Sequence, residues 1–248
     1  MDKPSASSVA TRKHASPYFN CENLEAYDCY VAWLDVMGSR SMMTRSLNTA
    51  ANFIFKLHVA SLETPRKEVF LYPMNDGIFA VGSNLITIRD WIGGSYERIN
   101  QANMSARGDQ TKVFLARAGI AYGKVVEGRY LQADASRTLA DPSNMRIRDS
   151  ILIGAPVANA YLSEHSTSPF GVLVHESART FAPENVQPWS YGRFMRYWPP
   201  KRKPPWVYEI EDTVVKYLAF CRKHSSELEY AVADIDRHLA LAKEFFDY

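Results

Sequence analysis

Asp35 and Asp76 are the two residues of this sequence best placed to do chemistry together. In YVAWLDVMGSR, residues 30–40, an apolar run stops at Asp35 and turns through Gly38; in LYPMNDGIFAVG, residues 71–82, Asn75-Asp76-Gly77 interrupts another. The second stretch has the pattern of a tight β-hairpin, which sets Asp76 at its tip, and that hairpin is expected beside the strand that ends at Asp35. Two uncompensated carboxylates converging on one point repel, so the arrangement suits a divalent cation. Mg2+ and Mn2+ take oxygen ligands and are commonly held by one or two carboxylates together with substrate phosphates. The turn at Val36, Met37, Gly38, Ser39 and Arg40 would offer backbone N–H groups at a helix start to phosphate oxygens. Residue types alone leave two simpler readings open, in which Asp76 only makes a turn and Asp35 only caps a helix.

The elements that must position these groups are limited by length and composition. A chain of 248 residues with 46% hydrophobic and 12% aromatic residues is expected to form a single α/β domain with a terminal extension. A formal charge of +2 and the lack of a long Lys/Arg run give no footprint of a duplex nucleic-acid binder. Cys21, Cys29 and Cys221 form neither a metal-spaced cluster nor an even disulfide set, which fits a reducing compartment. No stretch approaches the roughly 20 apolar residues of a membrane span, and the polar opening lacks a secretory pattern, so a cytoplasmic protein is expected. Residues 1–24 read as a mobile tail, 25–210 as the main domain and 211–248 as a C-terminal helical extension.

Along the chain, residues 30–40 read as a buried strand whose apolar run stops at Asp35, and 41–63 as one amphipathic helix with Met43, Leu47, Ala50, Ile54 and Leu57 at helical spacing. The hairpin follows, then a helix over about 86–104 with Ile88, Trp91, Ile92, Tyr96 and Ile99 on one side. KVFLARAGIAYGKVVEG, 112–128, reads as a second hairpin turning near Tyr122-Gly123-Lys124. A short strand, a Gly-Ala-Pro loop and a helix from Pro156 come next, then the strand GVLVHES and a helical turn at ARTF. GRFMRYWP and PPWVYEIED read as two further strands. A capping box at Ser226 and Glu229 is expected to open a last helix carrying Leu228, Val232, Ile235, Leu239, Ala242 and Phe246 as its apolar stripe. The order predicts an α+β fold, ferredoxin-like or palm-like, with helices mainly on one face of the sheet.

Five motifs in order resemble the class III nucleotidyl cyclases over about residues 28–210. WLDVMGSRSMM is similar to their first metal motif and YPMNDGIFAVGS to their second metal hairpin. ARAGIAYGKVVEGR resembles their Arg-x-Gly-Ile-x-x-Gly segment, IGAPVANAYLSE their Gly-x-x-Val-Asn-x-Ala helix entry, and GVLVHES the strand after it. The resemblance implies a palm-like domain with a central, mostly antiparallel sheet, and a head-to-tail homodimer with active sites at the interface. It further implies two divalent cations, Mn2+ or Mg2+, on Asp35, Asp76 and the Val36 carbonyl. The ribose 3′-hydroxyl would attack the α-phosphate and pyrophosphate would leave.

The chain departs from that pattern where the base and the transition state are read. Tyr72 stands where adenylate cyclases carry a purine-reading Lys, and Ile151 where they carry an acid. In this it resembles the pyrimidine cyclases of bacterial anti-phage signalling, whose cyclic UMP or cyclic CMP activates a separate effector protein; UTP is expected ahead of CTP. The family's transition-state Asn aligns with Ala158 and its Arg with Leu162, while Asn159 lies one position off. Candidate replacements for the missing positive charge are Arg40, Arg45, Arg146, Arg148 and the run Lys201-Arg202-Lys203, with Lys201 near a phosphate-binding Lys of the relatives. Arg117 is expected to be structural. The alternatives are a purine cyclase with unusual base contacts and a non-catalytic nucleotide-binding or dimerisation module; a diguanylate cyclase is disfavoured by the lack of its Gly-Gly turn. Control is expected to act through the tail, the C-terminal helix or an infecting agent's product.

Overall fold

A computed structural model describes residues 20, 24–106, 108–132, 135–180, 193–199 and 201–247. The expected tail at 1–24, Cys21 and part of ARTF thus lie largely outside the described residues. The chain divides into two compact units, one of residues 26–126 with 152–248 and a small one of 1–25 with 127–151.

The larger unit is built on β1 (Tyr27–Val36), which pairs antiparallel with two strands: β3 (Gly77–Gly82) and β4 (Ala116–Glu127). β2 (Phe70–Met74) continues the sheet beyond β3, and β5 (Leu152–Ile153) lies beyond β4, giving the order β2-β3-β1-β4-β5. β6 (Val172–Val174) runs parallel to β4. This is the mostly antiparallel α+β sheet that the element order implies. β1 is apolar on both faces because both are covered. Tyr30, Ala32, Leu34 and Val36 enter the large core, whereas Cys29, Val31 and Trp33 enter a second, smaller cluster on the opposite face.

The expected helix over 41–63 is two helices, α1 (Ser39–Arg45) and α2 (Leu47–Glu63). The chain becomes extended at Ser46, whose hydroxyl accepts the Thr49 N–H at 3.3 Å. That break shifts the apolar phase, so Met42, Ala50, Phe53, Leu57 and Ala60 are buried while Met43 and Leu47 face solvent. α3 (Leu85–Met104) follows the expected boundaries, and its five predicted core positions are fully buried. Gly93 and Gly94 in its middle let Tyr197 and Thr64 pack closely, which compensates for their low helix propensity.

Residues 116–127 form one twelve-residue strand, not a hairpin. Tyr122, Gly123 and Lys124 continue the ladder opposite Tyr30, Cys29 and Asp28, with Gly123 at φ +147°. α4 (Arg137–Ala140) and α5 (Met145–Asp149) belong to the small unit, and α6 (Ala155–Glu164) begins as read, with Pro156 in its first turn. α7 (Glu176–Thr180) is the expected helical turn. The two strands read over 192–199 and 204–212 are absent among the described residues. Residues 193–199 make a single bridge, Leu173 to Phe194, and Pro205–Lys223 is a helix, α8. Its buried Val207, Ile210, Val214, Leu218 and Cys221 recur every three or four residues, a period that a nine-residue window starting at two prolines does not reveal. The last helix, α9 (Val232–Phe246), starts after the expected capping box, and Ser226 and Glu229 lie in the turn before it, Glu229 with φ +50°. Val232 is exposed, and Ile235, Ala242, Phe245 and Phe246 carry the buried face into the large core with α8.

In the small unit α4 (Arg137–Ala140) and α5 (Met145–Asp149) are short helices joined by tight turns. Gly128 donates its N–H to Ile151 at 2.9 Å, and a Cβ there would fall 1.8 Å from the Arg148 carbonyl oxygen, so only glycine fits.

Candidate active site

Register brings the two aspartates together. Asp35 lies opposite Gly77 on one side and Arg117 on the other, so Asp76 of the β2–β3 turn stands next to the end of β1. Asn75 takes φ +46°, which closes that turn. Gly77 is required by a close approach, since a Cβ would meet the Trp33 ring at 2.3 Å and the Leu34 carbonyl oxygen at 2.7 Å. From below, the His58 ring Nε2 lies 3.3 Å from the Gly77 carbonyl oxygen. Ser39, on the first turn of α1, donates its hydroxyl to Asp76 Oδ2 and so ties the Met37–Arg40 turn to the hairpin.

Asp35 is 8% exposed, and its Oδ1 has no hydrogen-bond partner. Burial first, then the negative charges of Glu164 and Asp76, push its carboxyl up to about 8, against the opposing pull of Arg117 and the Val36 N–H. An orphan carboxylate oxygen beside a second acid is the donor set a hard divalent cation accepts. Among the described residues no cluster of three or more His, Cys, Asp or Glu side chains is assembled, so a cation here would complete its shell with backbone carbonyls, water or substrate phosphates.

A buried charge group stands behind Asp35. Glu164 of α6 is fully buried and pairs with Arg117 and with the imidazole of its neighbour His165. Arg117 also reaches His165 Nδ1 at 3.4 Å. Arg117 thus compensates the Glu164 charge and pulls the Asp35 carboxyl down against its burial. Glu164 was missed by reading the sequence, although it ends the quoted helix motif; an acid at the close of an otherwise apolar, sheet-facing helix was the available signal. α6 sits this close because Gly119 carries no side chain, since a Cβ would fall 2.1 Å from the Ala160 carbonyl oxygen.

The other predicted residues divide by place. Tyr72 is 5% exposed and packs in the smaller cluster with Trp33 and Phe79, in register with Phe79 and one pleat step from the Asp35 row. Met37 is half-buried, Gly38 takes φ +73° with open space where a Cβ would be, and Arg40 is exposed on α1. Arg45 is exposed and donates to the Ser41 and Glu227 carbonyls. On α6, Ala158 and Leu162 occupy exposed positions one turn apart, with Asn159 half-buried between them. Lys201 is exposed before α8, whereas Lys203 pairs with Glu211. Arg146 and Arg148 lie on α5 of the small unit, where Arg148 pairs with Asp149 at 2.9 Å.

No family model matches the sequence. No curated protein matches it either. Solved structures similar to the chain are cyclase domains. A monomeric mutant guanylyl cyclase domain of the RhoGC fusion protein from the aquatic fungus Blastocladiella emersonii is 16% identical, over 64% of this chain and 85% of that one, with a TM-score of 0.46. An adenylate/guanylate cyclase/hydrolase from Silicibacter pomeroyi is 16% identical over 70% and 96%, TM-score 0.45. A bacterial light-regulated adenylyl cyclase is 10% identical over 78% and 58%, TM-score 0.49. Likeness at this level says nothing of the substrate.

Proposed function

We propose that this chain is a nucleotidyl cyclase that converts a pyrimidine nucleoside triphosphate, UTP ahead of CTP, into its 3′,5′-cyclic monophosphate and pyrophosphate. The observation that carries the reading is the junction of Asp35 and Asp76 at the end of the central strand, with a buried carboxylate oxygen left unpartnered. Asp35, Asp76 and the Val36 carbonyl would hold two divalent cations, Mn2+ or Mg2+. When bound, such ions neutralise phosphate charge and make the ribose 3′-hydroxyl a better nucleophile.

The chain's own residues supply position. The Met37–Arg40 turn lines the phosphate side, and Ser39 holds Asp76 to it. Arg117 and Glu164 pair behind Asp35, and a cation that binds there displaces the proton that burial and the Glu164 charge hold on its carboxyl up to about 8. Trp33, Phe79 and Tyr72 form an aromatic row on the Asp35 face of the sheet, and their bulk narrows the base side, which favours a pyrimidine over a purine. Exposed Tyr161 and Leu162 on α6 suit a partner surface, so the working unit is a homodimer, head to tail. The cyclic nucleotide then serves as a messenger to a separate effector, in anti-phage defence.

A second reading is favoured by the apolar Ala158 and Leu162 on α6: a module that binds nucleotide and dimerises without catalysis. Incubating the purified protein with Mn2+ and each of the four nucleoside triphosphates, with products resolved by mass, separates the two. A cyclic pyrimidine monophosphate is the expected product. A cyclic purine product overturns the base assignment, and linear nucleotides alone favour the second reading.

A further inference from the structure

The outer face of α2 is apolar where water would call for polar groups. Ala50, Phe53, Leu57 and Ala60 turn inward to the large core, and on the other side Phe55, Val59 and Leu62 stand 66%, 51% and 49% exposed. A helix that is apolar on both sides is one that is covered on both sides. The three outward residues are spaced four and three apart, which is the a/d seam of a helix that packs on another helix. Beside the seam a groove of about 430 Å³ runs between α2 and α3, with Val59, Lys56, Arg98 and Gln101 in its walls, a hole into which a side chain of a second helix can insert.

The charges that flank the seam say what fits it. Lys56 and Glu63 each follow a seam residue, Phe55 and Leu62, so both occupy the e position of the heptad. In an antiparallel pair e faces e of the other helix; in a parallel pair it faces g, here Ala51 and the half-buried His58. Two copies of α2 laid antiparallel therefore set Lys56 of one copy against Glu63 of the other, twice over. Among the described residues Lys56 makes no ion pair, and Glu63 meets Arg98 through one carboxylate oxygen at 3.3 Å, which leaves the other for a second cation. We propose that the outer face of α2 binds the same face of a second copy of this chain, antiparallel about a two-fold axis near Val59. α2 packs on the large core and α6 on the smaller cluster, so the two helices cover opposite faces of the sheet. The α2 contact is thus additional to the pairing proposed for α6, and it does not rest on the cyclase reading. Two such two-fold contacts join dimers into a tetramer or an open row. One helix about 25 Å long gives a small interface, so this step is expected at higher protein concentration than the α6 pairing.

Complementary charge reversal tests the contact, read by sedimentation velocity of the full chain over a range of concentrations. A concentration-dependent doubling of mass is expected. It should be lost in Phe55→Glu and weakened roughly tenfold in Lys56→Glu and in Glu63→Lys, each of which sets like charges together at two places. An equimolar mixture of Lys56→Glu and Glu63→Lys should restore it, because each variant supplies the charge that the other lost, a recovery that misfolded chains cannot give. Leu162→Glu acts on α6 and leaves this step in place, so the two contacts fail separately. No such doubling, a doubling unchanged in Phe55→Glu, or no recovery in the mixture overturns the proposal. Binding to phosphatidylcholine–phosphatidylserine vesicles without self-association also overturns it and makes the face a lipid contact.

Discussion

Asp35 and His238 are both buried, and burial moves their titration in opposite directions. The Asp35 carboxyl rises from 3.8 to about 8, so between those values the folded chain binds more protons than the unfolded one. Its contribution to stability is therefore complete below the unfolded value and is lost as pH climbs toward 8. In a chelating buffer, Asp35→Asn should lack that slope and exceed the parent by on the order of a few kcal/mol above about pH 8, as read from urea midpoints. A parent whose stability rises over that window contradicts the assignment. His238 falls from 6.5 to about 4, so its contribution is complete above 6.5 and is lost as pH drops toward 4. His238→Gln should flatten the acid limb by on the order of 3 kcal/mol, again from urea midpoints, and an unchanged limb would mean that His238 charges freely in the folded state.

The elements transmit these demands through close approaches. Gly119 brings α6 onto β4, and that contact seats Glu164 beside Arg117 and Asp35. Gly119→Val should cost several kcal/mol in urea unfolding, because backbone rather than a flexible side chain stands 2.1 Å from the new Cβ. A variant within about 0.5 kcal/mol of the parent would show that α6 is not held there. Much of the site was legible in the sequence, since its signals are local. The apolar run ending at Asp35, the Asn-Asp-Gly turn, the stripe of α3 and Pro156 each state their element within a dozen residues. What failed needed longer reach. α8 declares its period only over its whole length, Ser46 breaks a stripe that looks continuous, and a glycine in β4 looks like a turn until its long ladder to β1 is known. Glu164 and His238 draw their meaning from partners far along the chain, which spacing alone does not reveal.

Among the described residues no helix is long and apolar enough to cross a membrane. In the proposed homodimer, α6 meets a partner through Tyr161 and Leu162, of which Leu162 is 63% exposed. Leu162→Glu should shift the species seen in sedimentation velocity from dimer to monomer and remove cyclase turnover, with the far-UV circular dichroism of the folded chain retained; a dimer that survives the substitution moves the interface elsewhere. In the proposed function, Asp35 and Asp76 together form the centre that takes the divalent cations. Calorimetric titration with Mn2+ near pH 7, run in two buffers of different ionisation enthalpy, tests it most directly. Saturable binding that releases close to one proton is expected, the one that Asp35 holds below about 8, and that binding should be lost in both Asp35→Asn and Asp76→Ala. Binding of equal strength in either variant, or no binding by the parent, would contradict it.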